Sequence, residues 1–215
     1  RKLLDTHLQA NDVLVLKTAV NILDDAALKR AIDEQDATTP AAQADIIGFN
    51  TKRVIEERIK VDPAYYEKFS RMIQQAIDDY RAKRINELAY LQKANEVRAA
   101  VLDRPRDDIP VALRGNDHGI ALFGLVKKVF DGIAPTDQGV ALAQETAQTV
   151  LAVLSARNVV DFWRNLDAMN QTRIELDHFL YDVVGAERGV KLSAAQMDAV
   201  IDQSLALAKA RGINA

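Results

Sequence analysis

Arg81, Lys83, Arg84, Lys93, Arg98, Arg104 and Arg106 outnumber Glu87, Glu96 and Asp103 over one short stretch in the middle of the chain. Guanidinium and ammonium groups at this density can replace the counterions condensed on DNA phosphates, or pair with carboxylates on an acidic protein surface. The plainer reading of the same residues is ordinary charge on the solvated side of a helix, and it comes first. Arg81, Lys83, Arg84, Lys93 and Arg98 are the candidate DNA or partner contacts. Any such contact is local, because a formal net charge of -3 over 215 residues gives no global attraction to nucleic acid.

Other chemistries lack the residues they need. A phosphate-binding P-loop requires a glycine beside its lysine, and no Gly-Lys pair occurs in the chain. A restriction-type nuclease core commonly places an acid two residues before a lysine, so that a metal-bound carboxylate and the cation project together; no lysine here has that neighbour. His-Glu-x-x-His, Cys-x-x-Cys and Gly-x-Ser-x-Gly are missing as well. His178 beside Asp177, on the helix of Glu175, suggests a metal or acid–base cluster only until the geometry is considered: adjacent helical residues point about 100° apart. His118, next to Asp117 in a glycine-flanked loop, reads as a turn or cap residue, and His7 has no partner nearby in sequence. The acid pairs Asp24–Asp25, Asp78–Asp79 and Asp107–Asp108 read as caps or solvated faces. No catalytic, cofactor-binding or metal-ligating residue is assigned.

The elements that carry these residues are helices throughout. Asp62 caps a helix with Pro63 at its first position, where the missing N–H costs nothing, and Val61 is placed to staple onto Tyr66. Phe69, Met72, Ile73, Ala76, Ile77 and Tyr80 recur at three and four residue steps as its buried stripe, while Lys68, Arg71, Gln74, Gln75, Asp78, Asp79 and Arg81 face mostly elsewhere. Asn86 caps a second helix with Leu88, Leu91, Ala94, Val97 and Val101 on its apolar side, and so short a connection makes the pair an antiparallel hairpin. Upstream, Val13, Leu16, Val20 and Leu23 share a helical face, and Thr38, Thr39 and Pro40 start a helix that carries Ile47, Val54, Ile55 and Ile59. Downstream, Ile120 to Phe130 is too apolar for an exposed helix and belongs in the core. An alanine-rich helix from Asp137 to Ala156 follows, with Asn158 as its stop. The next helix contains Trp163, Leu166, Met169, Ile174, Leu176, Phe179, Leu180 and Val183 and ends near Gly185; Trp163 reads as a core anchor ahead of a binding hot spot. Leu192, Ser193, Gln196 and Met197 form a capping box with a hydrophobic staple, and Lys209 and Arg211 lie in the final turn before Gly212.

The expected fold is therefore all-α, an irregular multi-helix bundle built from antiparallel hairpins. Its N-terminal helical part is 1–102 with the signature hairpin at 61–102, a linker of 103–119 rich in proline, glycine and charge follows, and 120–215 form the C-terminal helical part; one continuous helical domain is the alternative. Absence of cysteine excludes disulfides and thiolate metal sites. No apolar run approaches the ~20 residues of a membrane span and the amino terminus lacks a secretory pattern, so the expected setting is cytoplasmic, without membrane. Arg1 stands where a methionine would start a chain, which raises the expectation of a fragment or a processed form.

The hairpin also resembles the carboxy-terminal helical region of the R subunit of type I restriction enzymes. That family carries a motif of the form DPxFYxKFSxxIxxxIxxYRxxRIxxxEYLxK, matched here by Asp62, Pro63, Tyr66, Lys68, Phe69, Ser70, Ile73, Ile77, Tyr80, Arg81, Arg84, Ile85, Tyr90, Leu91 and Lys93, with Ala89 where the family often has glutamate. Weaker likeness continues through Asp161 to Val184 and Gly189 to Gly212, so that it spans roughly Phe49 to the end, leaving residues 1–48 to helical pattern alone. The resemblance implies a non-catalytic domain that helps dock a DNA motor onto the methyltransferase core of modification and specificity subunits. It further implies that the intact subunit, with its nuclease and helicase-like domains, uses ATP and Mg²⁺ to translocate and cleave DNA. A helical module that guides duplex DNA past the motor is the competing expectation, and an independent helical metallohydrolase the remote one.

Overall fold

A computed structural model describes residues 22, 24–103, 109–157 and 159–214. The expected face of Val13, Leu16, Val20 and Leu23, the residues His7, Arg104, Arg106, Asp107 and Asp108, and the stop at Asn158 lie outside the described residues. Eight α-helices run through the rest: α1 (Asp25–Glu34), α2 (Pro40–Arg58), α3 (Pro63–Arg81), α4 (Glu87–Leu102), α5 (Asp117–Phe130), α6 (Thr136–Ala156), α7 (Leu166–His178) and α8 (Ala194–Ala210). Short 3-10 turns occupy Val111–Leu113 and Phe162–Arg164, and α7 continues as a π-helix over Phe179–Glu187. Among the described residues there is no strand, only an isolated bridge between Asp131 and Ala134. The class is all-α.

Side chains that accept backbone N–H bonds start most of these helices. Asp24 accepts from Ala27 at 3.0 Å, Thr39 from Ala42 at 3.2 Å, Asp62 from Tyr65 at 3.2 Å, Asn86 from Ala89 at 2.9 Å, Asn116 from Gly119 at 2.9 Å and Asn165 from Ala168 at 3.0 Å. Ser193 and Gln196 form the reciprocal capping box at α8, with the Gln196 side chain accepting from the Ser193 N–H at 2.8 Å. Helix α6 instead follows Pro135 and has no side-chain cap.

The chain forms two compact units. The first takes in the described chain up to Val54 together with Ile73–Leu102, and the second takes in Ile55–Met72 with the chain from Asp103 onward. One seam falls between Leu102 and Asp103, where the sequence starts its linker. The other two fall within helices, near the end of α2 and in the middle of α3, where an unbroken helical period carries no mark of them. The span 103–119 is not all connection: Val111–Leu113 is a 3-10 turn whose Leu113 is buried, and α5 already begins at Asp117.

In the first unit the hairpin folds back on itself as its short connection dictates. The rings of Tyr80 and Tyr90 stack with centroids 4.8 Å apart and planes 9° from parallel. Tyr90, Ala94, Val97 and Val101 are the buried stripe of α4, at steps of four, three and four. Leu88, expected on that side, is 67% exposed: it stands two residues before Tyr90, about 200° around the helix from it. Gly48 of α2 lies over this stripe, so that a Cβ there would rest 3.7 Å from Ile73 and 3.8 Å from the Tyr90 hydroxyl. In the part of α3 that belongs to the second unit, Phe69 is buried with Tyr65 and Tyr66, but Met72 is half exposed at 48%. A residue adjacent to Ile73 sits about 100° from it, at the margin of a stripe that Phe69, Ile73 and Ala76 already fill.

The second unit has its core among α5, α6, α7 and α8, with α5 packed against both α6 and α8. Ile120, Leu122, Phe123, Leu125, Val126 and Phe130 of α5 are all buried, as its composition requires. Gly139 lets the first turn of α6 come close, since a Cβ there would meet that of Phe130 at 3.6 Å. Trp163 is not on α7: it occupies the preceding 3-10 turn, because Asn165 caps α7 and ends what comes before it. There it packs edge-on against Phe162 at 4.9 Å and donates its indole N–H to the Ile213 carbonyl at 2.8 Å, an anchor of the core.

Candidate basic contact surface

The turn between α3 and α4 carries the basic residues, and its backbone explains their placement. Arg84 N–H donates to the Asp79 carbonyl at 2.8 Å and Lys83 N–H to that of Tyr80 at 2.9 Å, the paired bonds of a Schellman motif. The residue that turns left-handed in such a motif is usually glycine. Helix α8 follows that preference: Ile213 donates to Ala208 at 3.0 Å, Gly212 to Lys209 at 3.1 Å, and Gly212 has φ +70°. At the end of α3 the same position is Lys83, at φ +56°. A side chain in this region costs about 1–2 kcal/mol, partly offset by the greater freedom glycine loses on folding. Lys83→Gly is therefore expected to stabilise the chain by about 0.5–1 kcal/mol, read as a raised urea midpoint at constant slope. A lowered midpoint would contradict this account of the turn. Strain held at an exposed cation is also a reason to look for its use.

The cations do not form one free patch. Asp79 receives the Gln75 amide at 2.8 Å, Arg84 Nε at 3.1 Å and Lys93 Nζ at 3.5 Å. These neighbours, the Gln75 hydrogen bond first and then the two cations, hold the Asp79 carboxyl below its ordinary value against the opposing pull of desolvation. A depressed carboxyl contributes stability above its unfolded pKa and loses it as pH falls through the folded one. Arg98 faces inward: its guanidinium donates to the Ile22 carbonyl at 3.1 and 2.6 Å and pairs with Asp25, with only 14% of its side chain exposed. Arg81 and Lys83 are exposed at the turn. Beneath them the Tyr90 hydroxyl donates to Asp45 at 2.9 Å, and burial, then the Asp45 carboxylate, pushes the phenol far above its usual range, so it stays neutral. Arg104 and Arg106 are among the residues not described. Of the five candidate contacts, the structure thus brings Arg81, Lys83, Arg84 and Lys93 to one turn and ties the last two to Asp79.

Two of the histidines, His118 and His178, lie among the described residues. His118 lies in the first turn of α5, and its Nδ1 accepts from Arg211 Nε at 3.0 Å; Arg211 also donates to the Val61 carbonyl. His178 is exposed at the end of α7, and Glu175, near it in sequence, pairs with Arg157 at 2.9 Å. Among the described residues, no three His, Cys, Asp or Glu side chains gather into a metal-sized group. Two cavities open on the second unit: one of about 330 Å³ beside Leu180, Tyr181 and Met197, and one of about 290 Å³ between Ile59, Pro63, Leu125 and Leu207. Both are lined mainly by apolar side chains. Sequence reasoning missed these concavities because no residue type marks them.

No protein-family model matches the chain, and neither a curated protein nor a solved structure matches it. Among the described residues no helix is long and apolar enough to cross a membrane.

Proposed function

We propose that this chain is a carboxy-terminal helical region of a type I restriction R subunit, and that it acts as a non-catalytic piece docking the motor onto the methyltransferase core of modification and specificity subunits. One observation carries the proposal: the run of matched residues from Asp62 to Lys93, at the family's spacing. In this reading the matched residues are chiefly those that build the hairpin. Asp62 caps it, Phe69 and Ile73 fill it, Tyr80 and Tyr90 stack across it, and Arg84 and Lys93 close on Asp79. The intact subunit would act in the cytoplasm with ATP and Mg²⁺, on DNA.

Docking is favoured over DNA guidance by what has become of the cations. Of the five candidates, all of them among the described residues, Arg98 is spent on Ile22 and Asp25, and Arg84 and Lys93 share Asp79, which leaves Arg81 and Lys83 among these five as the readiest phosphate contacts. Two phosphate contacts give a slope of only about -2 in log affinity against log salt. Duplex DNA is therefore expected to bind weakly, with a slope no steeper than that. A slope of about -4 or beyond, falling by about one with each of Arg81→Gln, Lys83→Gln and Arg84→Gln, would establish guidance and defeat docking as the main role.

A further inference from the structure

We infer that the solvent side of α7 and its π-helical continuation is the docking face and that it receives a basic amphipathic helix, an inference that rests on the docking reading above and names the chemistry of the docked segment. Ala168, Thr172, Leu176, Leu180 and Val184, each four residues from the last, form the side of this helix that is buried in the core. The opposite side should be polar. Instead Leu166, Ile174 and Tyr181 are 73%, 54% and 68% exposed. At about 100° per residue they fall within one quarter of the helix circumference, about two turns from one to the next, and share that quarter with exposed Asn170 and Asp177.

Concavity and charge then say what fits. Tyr181 belongs both to this stripe and to the wall of the cavity of about 330 Å³, whose apolar lining continues through Leu180, Leu192 and Met197 with Lys191 beside them. The stripe thus runs into a concavity with room for at least one large apolar side chain, the arrangement by which grooves hold the anchors of a partner helix. Asp167 and Asp177 are interleaved with the apolar residues and Asp182 lies beside them, all exposed. Of the nearby cations, Arg173 pairs with Asp202 and Arg188 with Glu145 at 3.0 Å, Arg164 is exposed two residues before Leu166, and His178, four residues after Ile174 and three before Tyr181, is exposed on the stripe itself. An apolar stripe set with carboxylates repels nucleic-acid phosphates and is complementary to a helix bearing leucine-like anchors among lysines or arginines.

The test uses the full chain and two probes. A synthetic leucine–lysine amphipathic helix with one tryptophan is titrated by fluorescence beside a leucine–glutamate counterpart, and the modification–specificity core is titrated in parallel. The variants are Asp167→Lys with Asp177→Lys, and Ile174→Ser with Tyr181→Ser; Asp198→Lys on α8 is the control. All these residues are exposed; Asp167 lies in the first turn of α7, where a carboxylate favours the helix dipole, so its double variant is expected to lower the thermal midpoint by a few degrees and the others to leave it nearly unchanged, which is checked. The inference expects the basic helix and the core each to bind, each double variant to weaken both by at least about tenfold, and the control to change either by less than about twofold. Basic-helix binding that is absent, or undiminished in both double variants, would overturn it. Core binding that survives both double variants would overturn it too, and would leave the docking reading standing. Failure of the unmodified chain to bind the core would remove the docking reading, and the peptide result alone would then decide the chemistry of the face. Self-association abolished by the same variants would assign the face to a second copy, and so overturn the proposal.

Discussion

Phe130→Ala should cost about 3–5 kcal/mol of folding stability, the range for removing a fully buried aromatic side chain. Phe130 is 1% exposed at the last position of α5, within the core cluster that α5, α6, α7 and α8 share. Its surroundings have little room to collapse into the space left behind. Gly139 sets α6 close against the Phe130 backbone and Cβ, the asparagine-capped start of α5 fixes the other end of the helix, and Leu122 and Val126 are themselves wholly buried. Urea unfolding should show the midpoint falling at constant slope. Leu166→Ala, on the exposed stripe, should move the same midpoint by no more than about 0.5 kcal/mol. Equal costs for the two substitutions would contradict the assignment of core and surface on which the docking face depends.

Tyr90→Ala should be nearly as damaging, again about 3–5 kcal/mol, because the ring is fully buried under Gly48 and stacked on Tyr80. Tyr90→Phe separates the hydroxyl from the ring. It keeps the stack and removes only the bond to Asp45, so its expected cost is about 1.5 kcal/mol, the low end of the range for a hydrogen bond to a charged group, because Asp45 is exposed and water can replace the lost donor. If Tyr90→Phe were as harmful as Tyr90→Ala, the Asp45 bond to α2 and not the stack across the hairpin would be what Tyr90 contributes. A neutral result for both would remove the physical reason given for an aromatic at this position.

The elements were legible because their starts are written in residue types. Asp62, Asn86 and Ser193 each cap the helix that the sequence assigns to them, and Pro63 stands at the first position of its own. Periodicity located the stripes and misjudged their margins. Leu88 lies far round its helix from the side its neighbours fill and Met72 at the margin of its own stripe, and a count of apolar residues at three and four residue steps tolerates such drift. The sequence does not separate Trp163 from the helix that follows it, because a 3-10 turn has no composition of its own.

The candidate surface was legible as a charge count and not as a set of partners. Ion pairing depends on which acid each cation reaches across space, and the reach of Arg98 to Ile22 spans parts of the chain far apart in sequence. Lys83 in left-handed backbone was hidden for a related reason: glycine announces that conformation, lysine does not. The exposed stripe of α7 was invisible because Leu166, Ile174 and Tyr181 share a helix with Leu176 and Leu180, and only packing tells the two sides apart.

The proposal that this chain is a docking piece of a restriction motor is tested most directly by calorimetric titration with a type I modification–specificity core, at low and at moderate salt. A mixed apolar and charged interface should give saturable binding that weakens by less than about tenfold over a salt increase that costs a protein with many phosphate contacts about a thousandfold. No heat of binding to the core, together with tight duplex binding that collapses over the same increase, would contradict it.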